Sequence, residues 1–452
     1  MKKTLLLMMS CMVALFANAQ ELTPIITLTA EVDGAERDFE LGNAVEGENK
    51  ISVDWGDGNI VEVATTTGIY DGWDFPAIAV KGTPKGKGEI KIYTTGDICY
   101  FDCSSVVNGP GYTSLDVSNA TELTELYAHA NELTSFDGSM LTKLKTLYLN
   151  NNNLTNESVK LPTTSLATLQ IKDNQLTSWN GAEFTVLATL HLSGNNLGTL
   201  DVSNMPALKA IYANDCSLTS FKAGAMANAK TTISVNNNLL ETLDVSEAID
   251  MDGCSLYASN NNLTEIKYPK EQDYQYTWFK VENNKFTFAT VPVAKTKKAS
   301  NFVNAPQKDM EIEVVDGTID LSSQKSVVVG EEAKATVYTW YTEDGTALVE
   351  GTDYTEEAGV FTFIAPQEQK VYCTMTTEAL PKFTGANIFK TVAVSIEDET
   401  TGIESIEAAE LVGDIYTVDG KLIKRNASVA AMQKGLYIVK TAAGETVKVI
   451  CE

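Results

Sequence analysis

Between Leu123 and Phe286 one eleven-position frame recurs eight times, L-x-x-L-x-L-x-x-N-x-L, and a chain written this way has only its own neighbouring copies against which to bury its apolar side chains. The first copy places Leu123, Leu126, Ala128, Asn131 and Leu133 in the frame, and the second places Leu144, Leu147, Leu149, Asn152 and Leu154. Later copies begin at Leu166, Leu187, Leu208, Lys230, Gly253 and Tyr276, so successive starts are 21, 22, 21, 21, 22, 23 and 23 residues apart. A degenerate ninth copy begins at Ile98, with Phe101, Cys103 and Val106 in apolar positions.

Each copy contributes a short strand whose apolar residues face the interior. The turn after it leaves backbone groups inside the coil that need hydrogen-bond partners. Asn131, Asn152, Asn174, Asn195, Asn238, Asn261 and Asn284 supply them as a stacked ladder, with Cys216 in that slot in the fifth copy. The segments between strands are brief, as in the Thr-Ser-Leu-Asp-Val-Ser run at 113–118, shortened at 199–203 and 242–246. Returns this short leave room for turns and extended chain, which predicts a β-rich, helix-poor solenoid. The frame and its period resemble the leucine-rich repeat family.

Side chains alternate across a strand, so the residue between the two inner apolar positions points outward on the concave face. That slot holds Tyr127, Tyr148, Gln170, His191, Tyr212, Ser234, Tyr257 and Lys280. Two positions further along each strand stand His129, Asn150, Lys172, Ser193, Asn214, Asn236, Ser259 and Glu282. Both histidines of the protein thus fall on one face, where they read as surface polar residues and not as a metal pair. Tyrosines in an exposed column suit ligand contact, because a rigid ring offers area at low entropic cost and ends in a polar group. The opposing reading is that the rings stack on one another for strand stability. The candidate ligand-binding set is Tyr127, His129, Tyr148, Gln170, His191, Tyr212, Tyr257 and Lys280, with no catalytic, metal or cofactor residue assigned and no cofactor expected.

The N-terminus has the three regions of a secretory signal peptide: Lys2 and Lys3, an apolar stretch at 5–16, then Ala17-Asn18-Ala19, which predicts cleavage after residue 19. Met8-Met9-Ser10 before Cys11 is a poor lipidation signal, and no later apolar run is long enough to cross a bilayer. The processed chain would carry 32 basic against 60 acidic residues, a formal charge of −28, which argues against a nucleic-acid partner. Its six remaining cysteines do not form a disulfide pattern. Cys99 and Cys103 lie four apart in a strand, about 13 Å between Cα atoms and too far for a bridge. Buried free thiols are the expected state.

The flanks read as further β modules. Strands in 22–97 include Val53-Asp54-Trp55-Gly56-Asp57-Gly58, a strand ending in a tight turn. This W-G-D-G turn resembles PKD-like β-sandwich modules; Asp54, Asp57, Asp71 and Asp74 read as turn-forming acids, since no regular calcium loop is present. Residues 98–294 are the solenoid and 295–308 a basic linker. In 309–397, Trp340 followed by Val371-Tyr372-Cys373 resembles the core strands of an immunoglobulin-like sandwich, without a cysteine before the tryptophan to make the usual disulfide. In 402–452 the succession Ile415 to Ile423 with its Asp419-Gly420 turn, Lys434-Gly435-Leu436-Tyr437-Ile438-Val439-Lys440, and a closing strand resembles the C-terminal sorting domain of the type IX secretion system. The family's early Y-P-N-P segment is missing, and Cys451-Glu452 replaces its basic terminus. This resemblance implies a partner in the type IX machinery and passage across the outer membrane, with secretion or cell-surface display.

The expected fold class is therefore mainly β and multidomain: an N-terminal β-sandwich, a repeat solenoid, an Ig-like β-sandwich and a small C-terminal β-sandwich. The chain lacks H-E-x-x-H, G-x-S-x-G, C-x-x-C and a phosphate-cradling glycine loop. Recognition or adhesion through the concave face, with an extracellular protein or glycan as partner, is the leading expectation. A structural envelope spacer is the alternative, and a glycan-processing enzyme the weaker third.

Overall fold

The computed structural model describes residues 22–71, 77–105, 111–226, 230–248, 251–269, 274–329, 332–396, 411–429, 432–441 and 446–451. Residues 1–19, expected as a signal peptide, Asp74 and Val106 lie outside the described residues. Regular structure is almost entirely β, interrupted among the described residues by three 3₁₀ turns of three residues each. The chain divides into two compact units, Met1–Lys308 and Asp309–Glu452.

In the first unit the repeated strands Glu125–Tyr127, Thr146–Tyr148, Thr168–Gln170, Thr189–His191, Ala210–Tyr212, Thr232–Ser234, Ser255–Tyr257 and Trp278–Lys280 pair in parallel, each with the next. The chain is a β-solenoid, and the reason is visible in its middle residues. Leu126, Leu147, Leu169, Leu190, Ile211, Ile233, Leu256 and Phe279 stack at the centre of successive strands, each fully buried. Each such side chain contributes about 1.5–3 kcal/mol by leaving water, and none has a burial site within its own coil.

Behind each strand the asparagine ladder closes the turn. Asn195 is typical: its Nδ2 donates to the carbonyls of Ile171 (3.0 Å) and Leu192 (2.8 Å), and its Oδ1 accepts from the Leu176 N–H (3.0 Å). One amide thereby joins two coils. The residue before each ladder position adopts a left-handed backbone: Ala130, Asn151, Asp173, Gly194, Asp215, Asn237, Asn260 and Asn283, with φ between 52° and 73°. Asn, Asp and Gly tolerate that region, and Ala130 is the one member of the series that does not. At Cys216 the arrangement changes. A thiol cannot accept like an amide oxygen, so the Leu197 N–H turns to the Cys216 carbonyl (3.1 Å), Ser217 also becomes left-handed, and Asn238 Oδ1 accepts from both Cys216 and Leu218.

Copies six and seven depart locally from the frame at their first position. Lys230 and Gly253, in frame with the starting leucines, are left-handed (φ 77° and 70°), and the following residues Thr231 and Cys254 occupy the buried position instead. On the convex side the Leu-Asp-Val-Ser segments at 199–203 and 242–246 begin as short strands, Thr199–Asp201 and Thr242–Asp244, which with Ser220–Lys222 and Glu265–Lys267 form a parallel sheet before the chain turns. Asp116, Asp137, Asp201 and Asp244 each accept the N–H of the serine two residues on. Charges alternate across these strands, Asp201 beside Lys222, Lys222 beside Asp244 and Asp244 beside Lys267. The Lys160 ammonium 2.8 Å from Asp137, with the Ser139 hydroxyl, holds that carboxyl down at about 2.

Two features of the first unit differ from the sequence expectation. Ile98–Asp102 pairs in parallel with Glu125–Tyr127 and antiparallel with Arg37–Asn43, which in turn pairs with Ile78–Gly82. One hydrogen-bonded sheet of twelve strands thus crosses the expected boundary at residue 97. A second sheet, in the order Val61–Thr66, Asn49–Asp54, Glu89–Thr94, Ile26–Ala30, Tyr112–Asp116, completes this end, and Phe39 meets Trp55 and Phe101 at 6.1 and 5.7 Å. In its tight turn Asp54 accepts the Gly56 and Gly58 N–H groups, both at 2.9 Å. The strands cover what would otherwise be an open sheet edge. At the other end the stretch 295–308, expected as a linker, forms the last coil: Phe302–Val303 pairs with Trp278–Lys280, and Gln307 serves as a final ladder residue, donating to Val281 and accepting from Asn284.

In the second unit Val337–Thr342 pairs antiparallel with Val371–Thr376, setting Trp340 opposite Cys373. Trp340 is fully buried, edge-on to Phe361 (5.4 Å) and Phe363 (5.2 Å). The four C-terminal strands form an antiparallel sheet in the order Leu422–Ser428, Val412–Thr417, Gly435–Thr441, Thr446–Cys451 around Ile415, Val429, Val439 and Val449. Cys99, Cys103, Cys216 and Cys373 are buried free thiols, and burial pushes Cys216 up to about 11 and Cys373 up to about 12.

Asn195→Ala strands the Leu176 N–H and two buried carbonyls, so chemical denaturation should show a loss of about 1–3 kcal/mol. Ala130→Gly relieves the one ill-suited left-handed position, and the same measurement should show a gain of about 1 kcal/mol.

Candidate functional site

The parallel register decides which side chains share the concave face. Tyr127 pairs with Tyr148, Tyr148 with Gln170, Gln170 with His191, His191 with Tyr212, Tyr212 with Ser234, Ser234 with Tyr257 and Tyr257 with Lys280. Strands stack about 4.8 Å apart, so these side chains form one column. All are half-buried except Ser234, which is buried.

The column is divided into three stations. At the first, Tyr127 and Tyr148 meet edge-on at 4.8 Å, Tyr100 lies 5.7 Å from Tyr127, and Tyr70 stacks on Tyr100 at 4.3 Å. Carboxylates accompany these rings: Tyr127 Oη donates to Glu125 (3.0 Å) and Tyr100 Oη to Asp102 (3.4 Å). Burial, helped by Glu125, pushes the Tyr127 phenol up. At the second, His191 lies 5.0 Å from Tyr212. Its imidazole is held below the usual histidine value by burial first and by Lys172 second, so its neutral form is favoured. At the third, the Lys280 ammonium sits 5.8 Å from the Tyr257 ring centroid and 5.0 Å from that of Trp278, within cation–π range.

The second outward column does different work. Asn150 Oδ1 accepts from the Lys172 N–H, Ser193 Oγ from Asn214, Asn214 Oδ1 from Asn236 and Asn236 Oδ1 from Ser259. These groups tie coil to coil as an outer ladder. His129 belongs to this column, with Nδ1 2.7 Å from Ser104 Oγ, so the two histidines sit in different columns with separate partners. No group of three or more His, Cys, Asp or Glu residues that could hold a metal occurs among the described residues.

Four residues of the face escaped the sequence reading. Glu125 and Trp278 occupy the slot two before the tyrosine position, which also holds Thr146, Thr168, Thr189, Ala210, Thr232 and Ser255. Carrying the frame back to Ile98 would have placed Tyr100 beside Glu125. Tyr70 comes from a connecting segment and had no signal.

No protein-family model matches the chain, and no curated protein does. Among solved structures it is similar to the functional domain of InlJ from Listeria monocytogenes, described as including a cysteine ladder, at 18% identity over 64% of this chain and 65% of that one, with a TM-score of 0.38. It is also similar to a chain of the LRIM1/APL1C complex, at 15% identity over 43% of this chain and 48% of that one, with a TM-score of 0.24. The chain spans less than two thirds of the length of either.

A histidine with a depressed value leaves the protein with fewer bound protons than the unfolded chain. Its contribution to stability is therefore whole above about pH 6.5 and declines as pH falls towards its folded midpoint. NMR titration of His191 should give a midpoint below 6.5, and Lys172→Ala should move it upward.

Proposed function

We propose that this chain is a non-enzymatic recognition protein, displayed at the cell surface or secreted, that binds an extracellular protein or glycan through the first outward column of its concave face. The observation that carries this reading is the division of labour between the two columns. Asn150, Ser193, Asn214 and Asn236 of the second serve the backbone of adjoining coils, whereas the first leaves half-buried rings and an ammonium on an open surface. Aromatic area with polar tips is the composition that contact surfaces favour. Tyr148, Gln170, His191, Tyr212, Tyr257 and Lys280 would form the contact, with Tyr127 tied to Glu125 and His129 at its margin.

The signal-peptide pattern and the sorting-like strands of 402–452 support export by the type IX route. The 309–397 region acts in this reading as an Ig-like structural module. Ring packing within the column supports a second reading, in which the tyrosines only stabilise the strands and the protein is a spacer in the envelope. The triple variant Tyr148→Ala, Tyr212→Ala, Tyr257→Ala separates the two. Recognition predicts that binding in an array of extracellular proteins and glycans drops at least tenfold while the circular dichroism spectrum is kept. The spacer reading predicts a lower melting temperature and unchanged array binding.

A further inference from the structure

The strands of the N-terminal end continue the outward columns past the tyrosines. In the pairing of Ile98–Asp102 with the first repeat strand, Tyr100 stands beside Glu125 and Asp102 beside Tyr127, and the pairing with Arg37–Asn43 sets Glu40 beside Asp102. Strand alternation puts all five on the concave face. The first station is therefore a cluster of four rings, Tyr70, Tyr100, Tyr127 and Tyr148, edged by the carboxylates of Glu40, Asp102 and Glu125. Gly42 admits Tyr70 to this cluster, because a Cβ on residue 42 would stand 2.6 Å from Tyr70 Cβ.

The chain supplies these acids with neutral donors but no counter-charge. Tyr127 Oη donates to Glu125 and Tyr100 Oη to Asp102, while the Ser104 N–H donates to the other Asp102 oxygen at 2.8 Å. Lys81 pairs instead with Asp38 at 3.4 Å and Lys172 with Asp173 at 3.2 Å, and among the described residues no lysine or arginine pairs with Glu40, Asp102 or Glu125. The charge is felt across the cluster. Burial first, then Asp102 and Asp38, push the Glu40 carboxyl up, and burial followed by Glu125, with Cys99, Glu40 and Asp102 adding, pushes the Tyr70 phenol up.

The other end of the face offers a parallel within the chain. Trp278 and Lys280 stand in the slots that Glu125 and Tyr127 hold at the first station, and the Lys280 ammonium lies 5.0 Å from the Trp278 ring centroid and 5.8 Å from that of Tyr257. There the protein seats its own cation on two rings. The first station has more rings and adds carboxylates, but its slots hold no ammonium or guanidinium. A bare metal ion does not suit it, since no group of three or more ligating side chains able to hold one occurs among the described residues. An anion would be repelled, and a neutral sugar would stack without answering the charge. A guanidinium or ammonium on a flexible stem meets both halves, the ring faces and the carboxylates. Because Tyr127 and Tyr148 belong to the column itself, a cation seated here is carried by a molecule that lies along that column. We infer that the first station is a receptor for an arginine or lysine side chain of a partner protein. This rests on the concave face being a recognition surface, and it selects a protein over a glycan as the partner.

NMR titration of the full chain, labelled in its tyrosine rings, with acetylated Gly-Arg-Gly, Gly-Lys-Gly and Gly-citrulline-Gly amides tests the inference, since citrulline keeps the shape of arginine without its charge. The arginine or the lysine peptide should shift the ring signals of Tyr70, Tyr127 and Tyr148, and the citrulline peptide should bind weaker by about tenfold or more. Glu40→Gln with Glu125→Gln should weaken the charged peptide by about tenfold or more, with the melting temperature not lowered. Glu241→Gln with Glu265→Gln, which removes as much charge from the convex side, should change binding by less than about twofold. No shift with any peptide, equal binding of the citrulline peptide, or an equal loss in both double variants would overturn the assignment. The array measurement on the triple alanine variant fails separately. Array binding lost in that variant while no peptide shifts the rings leaves the recognition reading standing and removes this site; peptide binding with unchanged array binding does the reverse.

Discussion

The asparagine ladder is the constraint on which the rest of the first unit depends. A coil of this period must turn sharply after a three-residue strand, and the turn directs backbone N–H and C=O groups into a water-free interior. Each amide donates to carbonyls of its own and the preceding coil and accepts an N–H from that preceding coil. Leucine burial holds the coils together without direction, whereas the amides, with the parallel backbone ladder, specify how far one coil is offset from the next. That offset is what brings Tyr127, Tyr148, Gln170 and His191 into one column.

A ladder of this kind must end somewhere, and the two ends are treated differently. At the first, antiparallel strands continue the sheet and bring a second layer with Trp55 and Phe39 across it. At the last, the chain makes one more coil in which the longer amide of Gln307 reaches the same groups as an asparagine. Both devices cover backbone that would otherwise invite pairing with another chain. The first also brings Tyr70 and Tyr100 alongside Tyr127, so protecting the end enlarges the aromatic surface.

The face itself is sorted by hydrogen-bonding capacity. Asn, Ser and Asn again in the second column reach the backbone of the next coil because their side chains are short and end in an acceptor. The tyrosines, His191 and Lys280 stand in the other column, while His129 and Lys172 are the members of the second that find partners elsewhere, in Ser104 and Asp173. The residues proposed for contact thereby stand on strands whose geometry is held by the same ladder that holds the fold.

Period, inner leucines, ladder and outward column were legible in the sequence, because strand alternation and a fixed repeat translate directly into which residues face in and which stack. The exception within the repeat was local: Lys230 and Gly253 fit the frame by position, but a left-handed backbone there turned Thr231 and Cys254 inward. The cap and the last coil were not legible, since antiparallel pairing between 37–43 and 98–102 joins segments far apart in the chain and follows no period. Sequence alone determined what repeats at a constant interval, because local backbone geometry propagates it. Tertiary structure decided the edges, because those depend on long-range hydrogen bonds whose partners no local pattern announces.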